Sequence, residues 1–235
     1  MRARIGVVVA FAVVAGVAVA QAPPPVDGVP EPLAMTPILP AGMTWLRHPQ
    51  RPFSILSTEV SVAQFRACVD AGQCAKDTFQ SCNFGTAGRD DHPMNCVQWT
   101  GADQFCRYAG GRLCTEDEWL QACSGTDGRH FPYGGAFDLQ ACNSQSDTVK
   151  ADRPMGTVPV GSLKRCEGGL PGLFDMAGNV TEWVDSCKGT YCKFRGGGWN
   201  SNDPIEQFAA CTGVCSGNQK SFGSATIGFR CCRSE

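Results

Sequence analysis

Histidine is scarce in this chain of 235 residues: there are three, His48, His92 and His130, and they stand far apart. No local pair of imidazoles therefore marks a zinc-protease helix, and the scatter holds out no iron-binding histidine cluster. Charge is sparse as well, at 18% of residues, with 20 basic against 22 acidic side chains. A net charge of −2 offers nothing that a nucleic acid or an anionic membrane would select, so neither is expected as a partner. The sequence also lacks a Ser-His-Asp arrangement, a phosphate-binding glycine loop and any internal repeat.

Cysteine is absent from the first 67 residues and then abundant, with all 15 lying between Cys68 and Cys232. No C-x-x-C pair stands opposite another, so the expected role is a disulfide framework rather than zinc. The odd count leaves at least one thiol free or paired between molecules. Upstream, Arg2 and Arg4 precede an apolar run from Ile5 to Ala20 that ends in Ala18-Val19-Ala20, the pattern of a secretory signal with an A-x-A cleavage site. The run is short and weakly hydrophobic for a membrane anchor. Residues 1–20 are read as the signal, which places the protein outside the cytoplasm, secreted or periplasmic, with no membrane attachment after cleavage. Residues 21–40 hold seven of the 15 prolines and read as an extended tether, leaving a single domain at 41–235.

Within that domain Phe53 to Val60 predicts a strand. Ser61 then opens a helix, because Ser61 and Gln64 make a capping box with Val62, Phe65 and Val69 on one face. A second helix is predicted from Thr100, burying Ala102, Phe105, Cys106 and Ala109 before Gly110-Gly111. A third follows Thr115, where T-E-D-E is another capping box and Trp119, Ala122 and Cys123 form the apolar side. After Ser124 short strand-like pieces alternate with Gly, Pro, Asn and Asp. The fold class is α+β: one irregular, loop-rich domain of low secondary-structure content, stabilised by disulfides.

The most unusual stretch is residues 172–199. Acidic and amide oxygens at Asp175, Asn179 and Glu182 stand close together, flanked by Trp183 and Trp199 and by the triple glycine at 196–198. Oxygens at such spacing can surround a hard cation such as calcium, or can cap turns without one. Asn179-Val180-Thr181 fits a glycosylation sequon but reads more simply as structural, and His92 as a hydrogen-bonded loop residue. Arg195 and Arg230 are expected to pair with carboxylates or carbonyls.

Read in order, HPMNCVQW at 92–99, GGRLCTEDEW at 110–119, FPYG at 131–134, PVGS at 159–162, GLFDMAGNVTEW at 172–183, RGGGW at 195–199 and IGFRC at 227–231 make a recognisable series. The chain resembles the formylglycine-generating enzyme family, also called sulfatase-modifying factors, over roughly residues 40–233. The resemblance implies a formylglycine-generating-enzyme-like fold with little regular structure, related to the C-type lectin core. The enzymes of that family oxidise a sulfatase cysteine to formylglycine with oxygen and a copper ion held by two cysteines. Those positions fall here on Ser201 and Glu206, and Gly198 stands where the enzymes carry serine. Since Cu(I) selects thiolates, copper is not expected at that pair. Cys211 and Cys215 are the weaker candidates for a rearranged site.

The resemblance also implies disulfides Cys106–Cys231 and Cys123–Cys211. Beside them Cys187 with Cys192 is a plausible small loop, with Cys68, Cys74, Cys82 and Cys96 pairing among themselves. It implies two calcium sites: one from the side chains of Asp175 and Glu182 with the carbonyls of Gly178 and Val180, the other from the side chains of Asn143 and Asp152 with the carbonyls of Ser144 and Pro154. The expected function is an exported, calcium-stabilised binding or scaffold module that presents a cleft at Trp199, Asn200 and Ser201 to a protein or peptide. The alternative is a metal-dependent oxidase, of the formylglycine-generating or non-heme iron type, with a rearranged active site.

Overall fold

The computed structural model describes residues 41–146, 152–153, 155–201 and 204–235. The expected signal at 1–20, the proline-rich stretch at 21–40 and Pro154 lie outside the described residues. Both capping boxes form. Ser61 accepts from the Gln64 N–H and the Gln64 side chain accepts from Ser61, which starts helix α1 (Val62–Asp70). Thr115 and Glu118 do the same for α3 (Glu116–Ser124), whose first turn carries Glu116, Asp117 and Glu118 against the helix's positive end. Between them α2 (Trp99–Tyr108) begins without a side-chain cap and buries Gly101, Ala102, Phe105 and Cys106. A fourth helix, α4 (Ile205–Ala209), follows Pro204 and is too short for its periodicity to stand out in the sequence.

Among the described residues eight short strands make two four-stranded sheets. The first, in order β1-β2-β8-β3, is antiparallel and joins β1 (Trp45–Arg47), β2 (Phe53–Leu56), β3 (Arg112–Leu113) and β8 (Cys231–Ser234). The second, in order β6-β5-β4-β7, joins β4 (Thr181–Lys188), β5 (Tyr191–Arg195), β6 (Ser216–Gln219) and β7 (Ile227–Phe229), with β4 and β7 parallel. The strand predicted to run to Val60 stops at Leu56. There the chain leaves the first sheet, and the Val60 N–H turns to the carbonyl of Phe229.

Two clusters form most of the core. One packs Phe65 of α1 and Phe105 of α2 in a stacked pair, with Phe229 of β7 edge-on to both and Trp183 of β4 nearby. The other gathers Phe53, Ile55, Trp119, Leu173, Met176 and Val184. Adjacent residues of β8 serve both, because successive side chains of a strand point to opposite faces. Cys231 lies in the first cluster and Cys232 in the second.

Fourteen of the 15 cysteines are bridged. Cys106–Cys231 and Cys123–Cys211 form, as do Cys187–Cys192, Cys68–Cys74 and Cys82–Cys96. Cys114–Cys232 and Cys142–Cys166 complete the set, and Cys215 is the free thiol.

Candidate functional site

A cavity of about 270 Å³ opens where β5 runs into the triple glycine. Thr181, Phe194 and Arg195 come from β4 and β5, Gly196, Gly197, Gly198, Asn200 and Ser201 from the loop, Phe208 from α4, and Val214, Ser216 and Thr226 from the segments around β6 and β7. Gly197 is required here twice over. Its φ is +65°, and a Cβ would stand 2.9 Å from Ser201 Oγ and 3.1 Å from Cβ of Phe208.

Arg195 is a fixed wall. One guanidinium nitrogen donates to the Gly213 carbonyl at 3.0 Å and the other pairs with Glu116. Glu116 also accepts from Lys193 at 2.8 Å and Ser186 at 3.0 Å. Burial works against its charge, but these donors outweigh it and hold the carboxyl down to about 2. A carboxyl lowered in the fold contributes stability above its unfolded value near 4.5, and that contribution disappears as pH falls from there towards 2. Glu116→Gln is therefore expected to flatten the acid limb of a stability profile measured by urea denaturation. An unchanged slope between those pH values would refute the linkage.

The expected site residues divide. Asn200 and Ser201 line the cavity, but Trp199 does not: its N–H donates to Asn179 and its indole to Ala225, and it borders a separate pocket with Asn83, Arg89 and Asn95. Ser201 Oγ accepts from the Gly198 N–H at 2.9 Å and donates to the Gly198 carbonyl at 3.0 Å, so it closes its own turn. Glu206 is exposed on α4 and is not part of the lining. The Cys211 and Cys215 pair fails as a copper site, because Cys211 is fully buried and bridged to Cys123. Cys215 is half-buried and its thiol is pushed up, by burial first and in spite of Arg195, which makes it a poor thiolate.

The two positions at which calcium was expected also differ. Asn143 is buried; its Nδ2 donates to the Gly156 carbonyl and to Asn179 Oδ1, leaving Oδ1 without a donor, and the buried Ser144 Oγ likewise has none. Gly178 lies against this corner, where a Cβ would meet the Asn143 carbonyl at 2.5 Å. An orphaned amide oxygen, with the exposed carboxylate of Asp152 in the same expected set, fits a hard cation.

At the other position Glu182 is saturated. Arg230 Nε lies 2.9 and 2.7 Å from its two oxygens, Arg230 Nη2 2.6 Å from Oε1, and Trp119 Nε1 2.7 Å from Oε2. A carboxylate whose lone pairs are filled by a guanidinium and an indole does not fit as a calcium ligand. Asp175 takes a positive φ of 60° and accepts from the Gly161 N–H at 2.6 Å.

Sequence reasoning missed Glu59, which is fully buried beside Asp175, and the partnership of Glu116 with Arg195; nothing local to either residue signals it. His92 donates to or accepts from Thr157 Oγ1 at 2.8 Å, and burial followed by the Arg89 charge lowers its pKa below the ordinary value. Asn179 is fully buried with its amide engaged by Val158 and Asn143, and the sequon is closed to glycan.

Curated relatives match part of the chain. Serine/threonine-protein kinase pkn1 of Chlamydia caviae is 30% identical over 62% of this chain and 25% of its own length. Inactive C-alpha-formylglycine-generating enzyme 2 of Mus musculus is 31% identical over 60% of this chain and 49% of its own. The chain thus spans half or less of the length of these relatives. Among solved structures CarF superposes with a TM-score of 0.61 at 24% identity, covering 78% of this chain and 86% of that one, which shows a shared fold. The profile of the Sulfatase-modifying factor enzyme 1-like domain matches residues 40–235, and the chain belongs to that family.

Proposed function

We propose that this protein is a non-catalytic binding module of the family, which offers the cavity beside Gly196–Ser201 to a segment of a protein or peptide. One observation carries the reading: among the described residues that line the cavity none is a cysteine. Ser201 closes a turn, Glu206 faces solvent and Cys211 is locked in a bridge, so none of the three offers a thiolate to Cu(I). The mouse relative, named as an inactive enzyme, supports the same direction. Calcium at Asn143, where Oδ1 lacks a donor, would brace the corner that carries Gly178 and Asn179. Seven bridges suit an oxidising compartment, secreted or periplasmic.

The test incubates the oxidised protein, offered Cu(I) and oxygen, with a cysteine peptide of the sulfatase type, and looks for aldehyde by mass spectrometry. No aldehyde is expected, while a formylglycine-generating enzyme run in parallel converts the peptide. Aldehyde above a no-protein control would refute the non-catalytic reading.

A further inference from the structure

Trp199 and Ala225 line a second cavity, of about 220 Å³, while their chain neighbours Asn200 and Thr226 line the one beside the triple glycine, so the two cavities share a wall. Arg89, Asn83 and Thr157 also line the second, and among the described residues of its lining there is no lysine and no carboxylate. The hydrogen bonds of the Arg89 side chain all leave from Nη1, which lies 2.9 Å from His92 Nδ1 and 3.1 Å from the Thr157 carbonyl. Nε and Nη2, the two nitrogens of one guanidinium edge, have no partner among the described residues. The adjacent carboxylate, Asp90, is taken by Arg66. A guanidinium fixed at one nitrogen and free along an edge is preorganised for two parallel bonds to a carboxylate.

Asn83 is more than nine-tenths buried. Its Nδ2 donates to the Pro93 carbonyl at 2.9 Å and to Thr157 Oγ1 at 3.0 Å. The Pro93 carbonyl settles which end of the amide is nitrogen, since an oxygen there would face another oxygen. Oδ1 is left without a donor among the described residues, an acceptor that a ligand N–H or O–H can satisfy. Trp199 is half-buried and held at its indole N–H by the Ala225 carbonyl, so its ring is a fixed apolar wall.

We infer that this second cavity takes the acidic side chain of a bound peptide, with the carboxylate on the free edge of Arg89, the methylenes against Trp199 and a backbone N–H on Asn83 Oδ1. The inference rests on the reading of the neighbouring cavity as a peptide site, because the shared wall lets one extended segment serve both. A single guanidinium with no second cation in the lining matches the one charge of a carboxylate rather than the nearly two of a phosphate.

Selection from a phage library of random heptapeptides on the immobilised, oxidised protein tests this, with Arg89→Gln and Arg89→Glu panned in parallel. The wild type is expected to enrich Asp or Glu at one position by about fivefold or more, the strength of a hydrogen bond to a charged group. Arg89→Gln should lose that preference, and Arg89→Glu should turn it towards Lys or Arg. In calorimetry the best wild-type peptide should bind about tenfold more tightly than its twin with the matching amide in place of the acid, a comparison that needs no variant to fold. Peptides enriched without an acidic preference, or with one that persists in Arg89→Gln, would overturn the inference and leave the peptide-binding reading standing. If no peptide is enriched over the bare support, both fall. Binding of glucuronate by the wild type, lost in Arg89→Gln, would then reassign the cavity to an acidic sugar.

Discussion

Removing both bridges that end on β8 is expected to leave the chain unfolded at 37 °C, while removing either one is expected to be survivable. Cys106–Cys231 and Cys114–Cys232 span 125 and 118 residues, yet their ends lie side by side on the chain. With one bridge intact, the other closes only a ring of roughly eleven residues, so its loss costs about 3 kcal/mol in the chain-entropy account. Losing both also opens the long loop, worth about 5 kcal/mol more. The combined cost of about 8 kcal/mol lies within the usual total stability of a domain. Urea titrations of Cys106→Ala/Cys231→Ala, of Cys114→Ala/Cys232→Ala and of the fourfold variant measure this, since all four sulfurs are fully buried and the packing loss is shared. Strict additivity of the two pairwise losses would remove the nested-loop explanation.

Arg230→Met is expected to cost about 3–5 kcal/mol, the usual penalty for stranding a buried charge. Arg230 is fully buried; burial alone would lower its pKa, but the Glu182 charge and hydrogen bonds outweigh that and hold it up. It also donates to the carbonyls of Leu56 and Phe174, so one side chain ties the end of β2 to the turn before β4. Arg230→Met combined with Glu182→Leu should recover much of the loss, because an apolar pair of similar volume often replaces a buried ion pair at little cost. Recovery will be incomplete, since the indole of Trp119 then lacks its acceptor. A double-mutant cycle from urea midpoints reads the coupling. A coupling energy near zero would mean that the pair contributes nothing beyond its separate packing.

The parts of this molecule that could be read from the sequence are those encoded within four residues or within a family motif. The capping boxes at Ser61 and Thr115 announce α1 and α3 because donor and acceptor lie three positions apart. The bridges Cys106–Cys231 and Cys123–Cys211 followed from the resemblance, not from spacing, which cannot choose among so many pairings. The site was only half legible. Asn200 and Ser201 do line the cavity, but Trp199 is turned by its bonds to Asn179 and Ala225 into a neighbouring pocket. Glu59 sits in an ordinary strand-to-helix link, and its meaning depends on Asp175 and Arg230, more than 100 residues downstream. Glu116 reads as a first-turn acid favourable to a helix, and only β5, arriving from residues 191–195, makes it the anchor of Arg195.

The position of β8 between β2 and β3 bears on the order in which the chain can be assembled. Strand β2 has been synthesised for some 175 residues before its central partner exists, and β3 for over 110. Neither can complete the first sheet until residue 234 has left the ribosome. The second sheet is constrained similarly, because β4 receives its parallel neighbour β7 only at residues 227–229. Before then only the helices α1, α2 and α3 and the strand pairs adjacent in the chain, β1 with β2 and β4 with β5 and β6, can form. Both sheets are completed late, when β7 and β8 arrive, as expected where distant segments must meet.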